Sequence, residues 1–213
     1  MSEFTFGNIV RTVNRSIICE NLPSGTPIMQ LNEEWLAFFT ENDGEQRSSD
    51  LAEEISKHCP ILYFYNLEDH CWGYEILNGG DVLSTFHFSY ELESELLFDI
   101  ASDRYPDIKR ITTFLYNTEE GKKVLDEIQS QLQDPSFLEI EVRKHFESVN
   151  VDDFKFFELE GEIIDELRKL LIADTYLNGE YDAIDRFKTL LDIEKMCWIR
   201  YDRTEDREDI EYI

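Results

Sequence analysis

The sequence predicts an α+β protein: an antiparallel β-meander over about residues 61–88, joined by candidate strands near either end of the chain and packed with amphipathic helices. Three observations lead there. Ile61 to Tyr90 reads ILYFYNLEDHCWGYEILNGGDVLSTFHFSY, the densest β-branched and aromatic stretch of the chain, and it contains two reversal signals. Most of the chain after it repeats apolar residues at helical spacing. No low-complexity linker interrupts it, so residues 1–213 read as one domain; a sub-boundary, if there is one, falls near residue 105 between a β-containing and a mostly helical half.

Within the meander the expected strands are Ile61–Tyr65, Trp72–Leu77 and Val82–Phe88, with turns at Asn66–Cys71 and Asn78-Gly79-Gly80. A three-residue second loop sets Ile76 opposite Val82, Tyr74 opposite Ser84 and Trp72 opposite Phe86, which makes one face almost wholly apolar and buries Trp72. A two-residue turn would move Phe86 and Val82 to the other face.

Before the meander, Phe4–Val13 carries β-formers and reads as a strand, continuing through Ile17 and Ile18 after a turn at Asn14-Arg15. Asn21–Pro27 is a loop. Asn32 is placed to cap a helix bearing Trp35, Leu36 and Phe39, with Leu31 and Leu36 as a staple. Glu41–Ser48 is polar loop, and Asp50 with Glu53 starts a short helix that runs to Lys57 before Pro60.

After the meander, Leu92, Leu96, Leu97 and Ile100 mark a helix that stops before Pro106. Asp107–Tyr116 reads as helical, Thr118 caps a helix with Val124, Leu125, Ile128 and Leu132 inward, and Asp134-Pro135 restarts the chain as cap and first helical residue. For Ser136–Phe146 helix competes with strand. Val151–Leu159 is a Phe-rich strand or buried linker. Two strong amphipathic helices follow, one carrying Ile163 to Leu171 and ending near Asn178-Gly179, the other carrying Tyr181 to Leu191. Met196–Tyr201 reads as a short strand, and Asp202–Glu211 as an acidic tail or exposed edge.

The composition narrows the function. Asp and Glu number 47 against 20 Lys and Arg, a formal charge of -27. Such a surface repels nucleic acid, whose binding rests on basic groups displacing counterions, and it repels anionic membranes for the same reason. What remains is a basic protein partner, a cation, or solubility alone. Cys19, Cys59, Cys71 and Cys197 are scattered with no C-x-x-C, so free thiols and a cytoplasmic location are expected. No signal segment and no run near the ~20 apolar residues of a membrane span is visible, so no membrane association is expected.

Two local constellations could carry chemistry. His58-Cys59 and His70-Cys71 offer zinc-type ligands, but the hairpin holds Cys59 and Cys71 at opposite ends of a strand, too far apart for ~2.3 Å zinc–sulfur bonds. No metal site is expected there. Glu68, Asp69 and His70 place two carboxylates beside an imidazole on a hairpin tip, and they are the candidate acid–base residues, although acidic residues in turns are ordinary turn chemistry. His87 and His145 have no recognisable partner. No phosphate loop, dinucleotide fingerprint, H-E-x-x-H, G-x-S-x-G or EF-hand spacing occurs, and no cofactor is expected. The reading that follows is a non-catalytic protein-binding or regulatory module for a basic partner, immunity- or inhibitor-like by analogy of charge alone. The alternatives are an enzyme with a dispersed carboxylate and histidine site, and a structural protein with no dedicated ligand.

Overall fold

A computed structural model describes residues 4–68, 70–147, 149–179, 182–205 and 207–213, with the backbone alone at His145. Asp69 of the candidate triplet therefore lies outside the described residues. The chain divides into two compact units, one formed by residues 1–88 and 148–213 and the other by residues 89–147.

The first unit is built on an open, seven-stranded antiparallel sheet in the order β6-β5-β4-β1-β3-β2-β7. Its strands are β1 (Thr5–Arg11), β2 (Pro27–Gln30), β3 (Trp35–Phe38), β4 (Ile61–Asn66), β5 (Cys71–Asn78), β6 (Asp81–Ser89) and β7 (Ile210–Tyr212). The meander stands as expected, and strands from both ends of the chain join it. β1 lies at the centre, with Asn8 opposite Tyr63 on β4 and opposite Phe38 on β3.

The register sorts side chains onto two faces, since alternate residues of a strand point to opposite sides. One face carries Phe6 and Val10, Ile61, Tyr63 and Tyr65, and Leu36 and Phe38. It is covered by α1 (Arg15–Asn21) and α2 (Asp50–Ser56) through Ile18, Leu22, Ala52 and Ile55. The other face is aromatic. Phe187 of α9 (Ala183–Leu191) stacks on Tyr74 at 5.6 Å between centroids and lies 5.2 Å from Trp72 and 6.0 Å from Phe64. A 3-10 segment, Val151–Phe157, adds Phe154 against Tyr74 and Phe157 against Trp35. Between these, α7 (Gly161–Leu170) and α8 (Ala173–Leu177) complete the layer, in which Tyr176 meets Phe88 at 5.6 Å.

Several local expectations are corrected. The run from Asn32 to Phe39 is a β-hairpin arm, not a helix: Asn32 Oδ1 accepts from the backbone of Glu34 and Trp35, so its capping capacity makes a tight turn between β2 and β3. Trp35–Phe38 is buried on both sides, which a helix on one sheet face cannot achieve. Ile17 and Ile18 lie in a helix, where Ile18 plugs the core. Ser49, one residue before Asp50, caps α2 by accepting from Ala52. The expected strand or linker over Val151–Leu159 is a 3-10 segment, Val151–Phe157, the helix over 163–178 is broken into α7 and α8, and the expected strand Met196–Tyr201 is irregular chain that ends in a 3-10 turn at Tyr201–Arg203 and is tied to β1 by Phe6 N to Ile199 O at 3.1 Å.

The second hairpin turns through two residues, Gly79 and Gly80, both at positive φ (70° and 93°), and not through three. Phe86 nevertheless shares the face of Trp72, with centroids 4.9 Å apart. The strand alternation must therefore shift by one residue between the turn and Phe86, and Val82 and Leu83 are exposed in succession there. Gly73 accommodates the shift. A Cβ at that position would sit 2.1 Å from the Phe86 carbonyl oxygen, so only glycine admits so close an approach of β6.

The second unit is helical: α3 (Leu92–Arg104), α4 (Ile111–Asn117), α5 (Glu119–Leu132) and α6 (Pro135–His145). Thr118 caps α5 and Asp134 caps α6, with Pro135 in its first turn, as the sequence indicates. Val124, Ile128 and Leu132 form the buried stripe of α5, and Arg104 reaches from α3 to Glu127 and Gln131 on it.

Candidate functional site

The candidate site grows from the polar loop between β3 and α2. Asp43 is 9% exposed and takes hydrogen bonds from three directions: Asn8 Nδ2 at 2.7 Å from β1, and the backbone N–H groups of Thr40 (3.0 Å) and Ser49 (3.3 Å) from both ends of the loop. The hydroxyls of Thr40 and Ser49 meet at 3.0 Å above it. The loop over residues 40–49 is thus wound around one buried carboxyl. Burial raises the Asp43 pKa above its ordinary value of 3.8, and the hydrogen bonds from Thr40 and Ser49 offset part of that rise.

Neighbouring contacts hold the loop to the sheet. The Tyr63 hydroxyl donates to the Gly44 carbonyl, and burial, reinforced by the nearby Asp43 and Glu75 carboxyls, pushes its pKa up so that it stays a donor. Ser48 donates to Glu75 Oε2 through its backbone (2.9 Å) and its hydroxyl (2.6 Å).

Beside Asp43 the chain returns as residues 199–203. Ile199 is fixed to the first residues of β1 by Phe6 N to Ile199 O and by Ile199 N to Thr5 Oγ1 at 3.3 Å. This places Arg200 over Phe4 and Phe6, at 6.0 and 5.9 Å from the ring centroids, and its guanidinium pairs with Asp202, Nη2 donating to Oδ2 at 3.0 Å while Nε, 2.6 Å from Oδ1, makes no hydrogen bond. A cleft of about 360 Å³ opens here, lined by Phe6, Thr40, Glu41, Asp43, Arg200, Tyr201 and Asp202. A second lobe of about 200 Å³ shares Thr40, Glu41 and Tyr201 and adds apolar wall from Pro23, Phe39 and Leu51.

The electrostatics of this double cleft are acidic. Glu41 is exposed and makes no ion pair among the described residues, Asp43 forms the floor, and Arg200 is already matched to Asp202. Neither lobe holds a His or a Cys, nor does a third cleft of about 300 Å³ in the helical unit, lined by Glu93, Ser94, Leu97, Gln129, Leu132 and Gln133. The two lobes present carboxylates, hydroxyls and aromatic rings.

Of the residues singled out from sequence, Glu68 and His70 sit in the turn between β4 and β5. Glu68 is at φ 46° with its N–H on Asn66 Oδ1, and His70 N donates to Leu67 O. Neither lines the clefts described above. Cys59 is buried just before β4 and Cys71 opens β5. Burial pushes the Cys59 thiol up to about 11, and Cys71 Sγ accepts from Gln46 Nε2 at 3.3 Å. His87 Nδ1 pairs with the Tyr65 hydroxyl at 2.7 Å. Sequence reasoning passed over Glu41, Asp43 and Tyr201; the one available signal was Asn42-Asp43-Gly44, a turn tripeptide inside a polar stretch, which gives no hint that its Asp turns inward.

No protein-family model matches the chain, and neither does any curated protein or any solved structure.

Proposed function

We propose that this chain is a non-catalytic binding module that docks a basic surface of a protein partner. The observation that carries the reading is where the charge resides. Of 47 acidic residues, only Asp43 and Asp153 are buried among those described, so the surplus behind the -27 charge lies at the surface, where 20 basic residues cannot neutralise it. Such a field accelerates encounter with a positive partner and disfavours negative ones. The double cleft supports a binding role, since it sets carboxylates beside aromatic rings.

The test is to isolate the partner by cross-linking the full chain in its native cell, then to measure association rates against salt. The partner should present a basic surface, and association should slow as the Debye length falls from ~10 Å at 0.1 M to ~3 Å at 1 M salt. Mixed duplex and single-stranded nucleic acid should give no saturable gel shift at physiological salt. An acidic partner with a salt-indifferent rate would reduce the charge to a solubility device and remove the proposal.

A further inference from the structure

The double cleft at the end of β1 is more specific than the acidic surface around it, and the geometry points to it as the anchor pocket for one Lys or Arg side chain of the partner. This inference rests on the binding reading above and names the place where that binding is anchored. Three features favour a cation with an apolar stem over any other occupant.

First, the lining combines aromatic rings with carboxylates. Phe6 and Tyr201 form walls, Glu41 stands exposed at the junction of the two lobes without an ion pair among the described residues, and Asp43 closes the floor. An alkylammonium or guanidinium takes both, because its stem lies along apolar surface while its head meets the carboxylate. Second, the molecule already uses this recognition at the same place: Arg200 stacks on Phe4 and Phe6 and pairs with Asp202. With Arg200 paired to Asp202, the cleft keeps the negative charge of the exposed Glu41, which an anion would meet as repulsion. Third, the second lobe is walled by Pro23, Phe39 and Leu51, which gives the residue next to the basic one an apolar seat. The larger lobe, about 360 Å³, is at the lower end of the ~300–1,000 Å³ of small-ligand sites, a size suited to one side chain.

The flanking backbone is set firmly. Trp198, two residues before Arg200, holds φ at 55°, a conformation seldom adopted without surrounding support, and Arg203 covers its ring at 5.9 Å.

The test uses the full chain, isotopically labelled, titrated with two blocked tripeptides, Ala-Arg-Leu and Ala-citrulline-Leu, which differ only in charge. The arginine peptide should shift the amide signals of residues 40–43 and 200–202 saturably, and the citrulline peptide should bind at least tenfold more weakly. Glu41→Gln, an exposed change that leaves the Asp43 network intact, should weaken the arginine peptide about fivefold. Tyr201→Ala should do so independently, and both variants should keep the amide spectrum of a folded chain. If the arginine peptide binds but its shifts spread over the surface and Glu41→Gln has no effect, the anchor pocket is wrong while the acidic-surface reading survives. If neither peptide binds, the anchor pocket falls, and the acidic-surface reading is decided by the partner's charge and the salt dependence of its association.

Discussion

The two faces of the sheet bury the same strands in opposite ways. On one, Phe64, Trp72, Tyr74, Phe154 and Phe187 make a continuous aromatic cluster with ring centroids 5–6 Å apart. On the other, an aliphatic and tyrosine layer is interrupted near Asn8 by a buried carboxyl and its donors. The aromatic face gains from area removed from water and from ring geometry, both tolerant of small adjustments. The polar face depends on every donor finding its acceptor, so it is less forgiving and better suited to fixing one loop conformation. The acidic cleft opens from this second face, where Asp43 is shared between core and site.

The largest effect is expected at Trp72. It is 0% exposed and touches Phe86, Phe88 and Phe187, so Trp72→Ala should destabilise the protein by ~3–5 kcal/mol in chemical denaturation. A loss below about 1 kcal/mol would take Trp72 out of the core. On the polar face, Asp43→Ala strands Asn8 Nδ2 and two backbone N–H groups; with ~1–3 kcal/mol for each unsatisfied buried group and partial rescue by water, a loss of roughly 2–4 kcal/mol is expected. A neutral outcome would show that the loop is not wound on this carboxyl. Gly73→Ala forces a methyl into the Phe86 carbonyl and should cost about 1–3 kcal/mol, the usual range for overpacking, with near-ultraviolet dichroism changing as Phe86 moves against Trp72.

The smallest effect is also the sharpest. The folded-state pKa of Asp43 is raised by burial, so in the interval above 3.8 the folded state holds this proton more tightly than the unfolded chain. The contribution is fully present below the unfolded pKa and is lost as pH rises through the folded one. The stability of the natural chain relative to Asp43→Asn should therefore fall as pH increases from about 4, measured by urea titrations in parallel. A relative stability that rises with pH would mean the donors around Asp43 outweigh its burial.

The aromatic face was legible in the sequence because strand alternation writes it in plain residue types: Trp72, Tyr74 and Ile76 at every second position, with Phe86 and Phe88 following. The caps Thr118 and Asp134 were legible for the same reason, a local rule met by local residues. Asn32 obeyed its rule too, yet in a hairpin, because burial of Trp35–Phe38 on both sides outweighed helical spacing. The site was not legible. Glu41, Asp43 and Tyr201 come from segments about 160 residues apart, and they meet only because Ile199 is tied to β1, a contact that leaves no periodic mark. The hairpin turn shows the limit from another side: its register depends on the close approach at Gly73, which neither glycine of the turn announces.

Because the first unit is assembled from residues 1–88 and 148–213, the order of synthesis matters. The strands carrying Trp35, Phe64, Trp72 and Tyr74 emerge early, whereas Phe154 and Phe187, which cover them, come after the whole helical unit. At ~5–20 residues per second, the roughly 100 residues between Phe88 and Phe187 take about 5–20 s to make, far longer than the microseconds in which hairpins close. A sheet formed in that interval would lack the aromatic cover that Phe154 and Phe187 supply. Truncation between residues 90 and 150, which removes both Phe154 and Phe187, should yield an aggregating product, measured by light scattering.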